Sequence, residues 1–148
     1  MKIAVTFSTL SGNTALVAND LVDYLNNNGH KAELFDVINT NPDQLKEHEL
    51  VFFGSSTYGD GDLNPITELF FSTADQQNHN CNNTHFAFFS LGDSSYPHFA
   101  TSGKISSEKI EPMQGNILEP VLQIDGYPNQ ATYQKSRQWA DSILTQLK

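Results

Sequence analysis

Two uninterrupted apolar runs, Leu50-Val51-Phe52-Phe53 and Phe86-Ala87-Phe88-Phe89, constrain the fold of this chain more than any other feature. A strand with one face in water alternates apolar and polar residues, whereas a strand that is apolar at every position must be covered on both sides. Both runs then turn small and polar, the first at Gly54-Ser55-Ser56 and the second at Gly92-Asp93-Ser94-Ser95. Three further runs complete the strand set: Ile3 to Phe7, Lys31 to Val37, and Ile117 to Ile124, whose Pro120 argues for an edge position. Between them lie a helix over about Thr14 to Asn27, stopped by Asn28-Gly29, and a short helical turn around Gln44 to Glu47. Further helices are expected at Ile66 to Ala74, weakly at Ser102 to Ile110, and at about Gln130 to Leu147. The last carries Tyr133, Trp139, Ile143, Leu144 and Leu147 as a candidate buried stripe. Strands alternating with helices predict an α/β fold: a doubly wound five-stranded parallel sheet, order 2-1-3-4-5, with helices on both faces. One domain is expected over 1–148, since no linker, repeat or low-complexity segment divides it.

In a sheet of this order ligands bind beyond the carboxyl ends of the strands, at the switch point between strands 1 and 3. Three unusual loops follow strands 1, 3 and 4. The first, Thr9-Leu10-Ser11-Gly12-Asn13-Thr14, joins a buried strand to a helix and offers backbone N–H groups at the positive end of the helix dipole. The plain alternative is that Ser11 or Asn13 caps the helix and Gly12 permits the turn. A cap needs one polar residue, and this loop has several. It lacks the lysine of a Walker loop and the spaced glycines of a dinucleotide fingerprint, so a phosphate here would be held by neutral donors.

The formal net charge is −9, and no Lys or Arg occurs from Glu47 to Gly103. An acidic face disfavours nucleic acid and anionic membranes and suits a basic protein partner, although solubility alone also accounts for such a charge. The start of the chain does not read as a signal peptide, no run approaches the length of a membrane span, and the lone Cys81 has no internal partner for a disulfide. A soluble, cytoplasmic protein is expected.

The three loops together resemble those of the flavodoxin family, over Met1 to Lys148. Thr9-Leu10-Ser11-Gly12-Asn13-Thr14 matches the family's phosphate loop, Ser56-Thr57-Tyr58-Gly59-Asp60 its first flavin loop, and Gly92-Asp93-Ser94-Ser95-Tyr96-Pro97-His98-Phe99 its second. The fifth strand shows no long insertion, which resembles the short-chain type. Tyr58-Gly59-Asp60-Gly61-Asp62 is closer to the FMN modules of diflavin reductases and to relatives of the MioC type. The resemblance implies FMN, with its phosphate on Thr9, Leu10, Ser11, Gly12, Asn13 and Thr14. The isoalloxazine would then lie between the loops of Ser56, Thr57, Tyr58, Gly59 and Asp60 and of Leu91, Gly92, Asp93, Tyr96, His98, Phe99 and Ala100. Tyr58 and Tyr96 would wall the ring, and a peptide flip at Gly59 would offer a carbonyl to the flavin N5–H once one electron has arrived.

It further implies a monomeric, low-potential one-electron carrier and no catalytic side chain. Electrons would come from a basic flavodoxin or ferredoxin reductase-type donor and pass to a redox-enzyme acceptor, docking on Asp60, Asp62, Glu68 and Asp93. Two other functions share the topology: an FMN-dependent NAD(P)H:quinone reductase, and a binding module that has lost flavin. Other chemistries fit less well. His79, Cys81 and His85 match no zinc spacing, so no metal is expected. Cys81 is not in a phosphate-binding loop. A receiver domain would need acidic residues where Ser8, Thr9, Ser56 and Thr57 stand. His98 could donate a proton, but it also reads as an ordinary exposed loop histidine.

Overall fold

Val51, Phe52 and Phe53 are completely buried, as are Ala87, Phe88 and Phe89, so both continuous apolar runs lie in the middle of the sheet. The computed structural model describes residues 1–8, 12–40, 42–58, 62–63, 70, 84–92 and 116–147, with the backbone alone at 42–43, 57–58 and 62–63. In chain order the elements are β1 (Lys2–Ser8), α1 (Asn13–Asn27), β2 (Lys31–Asp36), a 3-10 turn (Val37–Asn39), α2 (Pro42–Leu45), β3 (Leu50–Tyr58), β4 (Asp62–Leu63), β5 (His85–Gly92), β6 (Asn116–Asp125) and α3 (Gln130–Thr145). The sheet runs β2-β1-β3-β5-β6, all parallel, which is the expected order 2-1-3-4-5 with β5 and β6 as the fourth and fifth parallel strands. The helices expected at Ile66 to Ala74, save Phe70, and at Ser102 to Ile110 lie outside the described residues. Among the described residues no helix is long and apolar enough to cross a membrane.

Alternate side chains of each strand feed two cores. On one face Ile3, Val5, Phe52, Ala87, Phe89 and Leu91 pack under the apolar stripes of α1 (Val17, Ala18, Leu21, Leu25) and α3 (Trp139, Ala140, Ile143, Leu144). Trp139 sits edge-on to Phe52 and Phe89, with ring centroids 5.3 and 6.0 Å away. On the other face Ala4, Val51, Phe53, Phe86 and Phe88 meet Val37, Leu45 and Phe70. Burial of aromatic and aliphatic side chains of this size contributes about 1.5–3 kcal/mol each. Of the expected α3 stripe, Trp139, Ile143 and Leu144 are buried, while Tyr133 and Leu147 are half-buried.

Three departures from expectation have local causes. β2 stops at Asp36, because its carboxylate accepts from Ile38 N–H and turns Val37 into the 3-10 segment. α2 starts two residues early, at Pro42, as proline's fixed φ permits. The third is larger. Thr57 and Tyr58, read from sequence as loop, continue β3 and pair antiparallel with β4, Thr57 opposite Leu63 and Tyr58 opposite Asp62. The edge position of Pro120 is as expected: three residues of β6, Glu119, Pro120 and Val121, stand opposite one of β5. α3 ties down this bulge, with Trp139 Nε1–H donating to Pro120 O at 2.7 Å and Gln146 Nε2–H to Glu119 O at 2.6 Å.

α1 and α3 are also clamped at their outer surface. Arg137 makes a two-pronged ion pair with Asp20, its Nε–H at 2.9 Å from Oδ2, and its guanidinium lies 5.7 Å from the centre of the Tyr24 ring. Tyr24 O–H donates to both oxygens of Asp141, at 2.9 and 2.8 Å.

Two outcomes follow from this packing. Gly54 lies beside Phe89 in the ladder, and a Cβ at Gly54 would overlap the Phe89 ring. Gly54→Ala is expected to destabilise by about 1–3 kcal/mol, the usual range for overpacking, and an unchanged urea midpoint would contradict this packing. The hydrogen bond to Asp141 holds the Tyr24 phenol above its ordinary pKa of 10.0, helped by burial and by the carboxylate's charge. A folded-state value above the unfolded one means that the stabilisation is complete below about pH 10 and lost as pH rises through the folded value. The stability difference between wild type and Tyr24→Phe should therefore be flat from pH 6 to 9 and shrink above about pH 10; a constant difference would refute the pairing.

Candidate functional site

The parallel register brings three strand ends to one level. Ser8 of β1 lies beside Ser55 of β3, and Ser55 beside Ser90 of β5. One pleat earlier the same row reads Thr6, Phe53, Phe88. All three serines are fully buried, so the bulky core of that face ends abruptly and small hydroxyl side chains take its place. At about 4.8 Å between neighbouring strands, the row spans about 10 Å. The serines carry no single-residue signal of function. Only their common register marks them, and register is not visible in one sequence.

Gly12, Asn13 and Thr14 form the start of α1, directly beyond the end of β1. The N-cap is Gly12, at φ 90°, ψ −10°, so the capping position has no side chain to offer the first turn, and no acidic residue occurs in that turn. Neither Ser11 nor Asn13 occupies the N-cap. A Cβ built on Gly12 meets nothing within 4 Å. The residue at Thr14 is fully buried, and among the described residues its Oγ1 has no hydrogen-bond partner. A helix start leaves its first N–H groups unpaired and carries about half a positive charge. These groups, beside an orphaned buried hydroxyl and open space at Gly12, suit an anion with several acceptor oxygens.

The start of α3 shows that this chain caps its helices elsewhere. There Asn129 Oδ1 accepts from Thr132 N–H at 3.1 Å while Thr132 Oγ1 accepts from Asn129 N–H at 3.2 Å, a complete capping box. The same turn is anchored to the site: Gly126 N–H donates to the carbonyl of Gly92 at 2.8 Å.

Of the other expected site residues, Ser56, Thr57 and Tyr58 form the end of β3, and Leu91 and Gly92 the end of β5, with Ser56 beside Leu91. The Leu91 side chain is 4% exposed and belongs to the core under α1 and α3, so its backbone is what it presents to the site. Thr9, Leu10, Ser11, Gly59, Asp60, Asp93, Tyr96, His98, Phe99 and Ala100 lie outside the described residues, as do Glu68 of the acidic set and His79 and Cys81 of the discounted metal set. Asp62 pairs with the tip of β3 through its backbone.

The flavodoxin family model matches residues 5–139, which spans β1 through most of α3. The chain belongs to the flavodoxin family. Among curated relatives, a flavodoxin from Nitratidesulfovibrio vulgaris is 27% identical over 99% of each chain. The flavoprotein alpha-component of sulfite reductase from Shewanella oneidensis is 26% identical over 99% of this chain and 24% of its own length. The chain thus spans about a quarter of the first such relatives it matches. The crystal structure of oxidised flavodoxin 1 from Bacillus cereus superposes with a TM-score of 0.88 at 22% identity, covering all of both chains. Flavodoxins bind FMN, and the uncapped start of α1, with Thr14 Oγ1 and the open side of Gly12, fits the cofactor's phosphate. β6 runs from Asn116 to Asp125 interrupted only by the bulge at Pro120, in keeping with the short-chain type.

Thr14→Val tests whether this hydroxyl is held open for a ligand. Valine keeps the shape and the β-branch while removing the orphaned oxygen, so the flavin-free protein should be as stable as wild type or up to about 1 kcal/mol more so. A loss of more than about 1 kcal/mol in urea denaturation would mean that Thr14 Oγ1 already has a partner.

Proposed function

We propose that this chain is an FMN-containing, low-potential carrier of single electrons, taking them from a basic reductase and passing them to a redox enzyme. The observation that carries the reading is the uncapped start of α1 with Thr14 Oγ1 unpartnered inside it, placed beside the switch between β1 and β3. Bound FMN supplies one-electron chemistry, and the protein supplies binding, orientation and electrostatics. In this reading the N–H groups of residues 10–14 and the hydroxyls of Thr9, Ser11 and Thr14 hold the phosphate without a cation. Tyr58, at the tip of β3, and Tyr96 cover the ring, each contact giving about 0.5–1.5 kcal/mol beyond area burial. The β3–β4 hairpin supports this assignment, since Tyr58 hangs on a paired backbone, with Gly59-Asp60-Gly61 as the three residues between the pairs.

The acid-rich stretch from Glu47 to Gly103, free of Lys and Arg, supports two finer points. Without a nearby cation a reduced, anionic flavin is disfavoured, which lowers the potential. Asp60, Asp62, Glu68 and Asp93 would also steer a basic donor to the flavin edge. The similarity to a quarter of a sulfite reductase (NADPH) flavoprotein component supports a partner of the reductase type.

The purified protein is expected to carry a flavin spectrum and, under anaerobic stepwise reduction, to accept electrons in two separated one-electron steps. Reduction by a reductase should slow as salt rises from low to physiological ionic strength. NADPH alone should leave the flavin oxidised; direct oxidation of NADPH, or a single two-electron step, would instead favour the quinone reductase. A colourless protein that refuses FMN would leave only a binding module.

A further inference from the structure

β2 is an outer strand of the sheet, and the ladder shows which of its backbone groups look outward. Lys31 N–H donates to the Met1 carbonyl at 3.1 Å. In a parallel pair the N–H and C=O of one residue point to the same neighbour, and those of the next residue point the other way. Lys31, Glu33 and Phe35 therefore face β1, and Ala32, Leu34 and Asp36 face out. A row of this kind is a template for another strand. Leu34 is 37% exposed and Ile38 64% exposed, so a macromolecule can reach it.

The strand that fits this row is a second copy of itself. In an antiparallel pair, outward residues must meet outward residues. A two-fold centred on Leu34 places Leu34 against its own copy and Ala32 against Asp36 on either side, joining two half-exposed leucines. The alternative centred on Glu33 would oppose two carboxylates.

Asn26, in the last turn of α1, stands in the way. Its Nδ2–H donates to Ala32 O at 3.2 Å, and its Oδ1 accepts from Ala32 N–H at 2.9 Å. A side-chain amide here makes the two bonds that a neighbouring strand would make. At the far end Thr40 Oγ1 donates to Asp36 O at 2.7 Å, but a carbonyl keeps a second lone pair whereas an N–H has one bond to give. The hold on Ala32 is thus the stronger block, and by symmetry it closes two of the three pairs.

We propose that Asn26 guards the β2 edge, keeping this chain from pairing with a second copy of itself through Ala32, Leu34 and Asp36. The test is sedimentation across a wide concentration range. Asn26→Ala should self-associate as concentration rises where wild type does not. Asn28→Ala removes a different bond of the same turn, Asn28 Nδ2–H to Tyr24 O at 2.7 Å, and should sediment like wild type. Adding Leu34→Lys to Asn26→Ala should restore wild-type behaviour, since the charges repel across the two-fold. The proposal is overturned if Asn26→Ala sediments like wild type, if Asn28→Ala associates equally, or if Leu34→Lys leaves the association in place. Amide exchange in the unmodified protein gives a second reading that needs no variant to fold. Ala32 N–H should exchange at least about tenfold more slowly than Leu34 N–H, and equal protection of the two would overturn the guard.

Discussion

The start of α1 is the constraint on which the functional end depends: its N-cap, Gly12, has no side chain to offer, and the buried Oγ1 of Thr14 has no hydrogen-bond partner among the described residues. Leaving that hydroxyl without a partner costs stability, and the capping box of Asn129 and Thr132 at α3 shows that the chain can close a helix start with side chains. Such an opening is useful only if the sheet aims it at something. The parallel register does so, since Ser8, the last residue of β1, lies beside Ser55 of β3 and Ser55 beside Ser90 of β5, near the carboxyl ends where ligands bind in sheets of this order. The tie from Gly126 to Gly92 brings the last turn into the same assembly.

The rest of the fold keeps those ends in register. Phe52 and Phe89 on one face meet Trp139, and on the other Phe53 meets Phe70 and Phe88. Gly54 lets the Phe89 ring lie across its neighbour strand. Bulky packing therefore reaches to the level of Phe53 and Phe88 on one face and stops one pleat short of the site, where serines take over. The packed sheet thus gives way to small side chains at its carboxyl end without the core itself being interrupted.

Much of this was legible in the residues. Strand order followed from continuous apolar runs alternating with helices, because burial on both faces leaves no alternation to mislead. Pro120 marked the edge through its missing N–H. The loop before α1 stood out by composition, but its N-cap was not legible: whether Ser11 or Asn13 caps α1 depends on where the helix starts, and a one-residue difference put Gly12 in that place. The hairpin of Thr57 and Tyr58 was missed because its partner strand is two residues long, with no periodicity to read. The serine row and the bracket of Asn26 on Ala32 depend on what lies across the sheet or the turn, and no local pattern carries that.

Binding of FMN and riboflavin to the flavin-free protein, followed by quenching of flavin fluorescence, tests the central claim most directly. The two ligands share the ring and differ in the phosphate. If the open start of α1 is the phosphate site, FMN should bind at least about a hundredfold more tightly, as two charge-assisted hydrogen bonds of about 1.5–3 kcal/mol each would give, and inorganic phosphate should compete with FMN. Equal affinities for FMN and riboflavin would contradict the account.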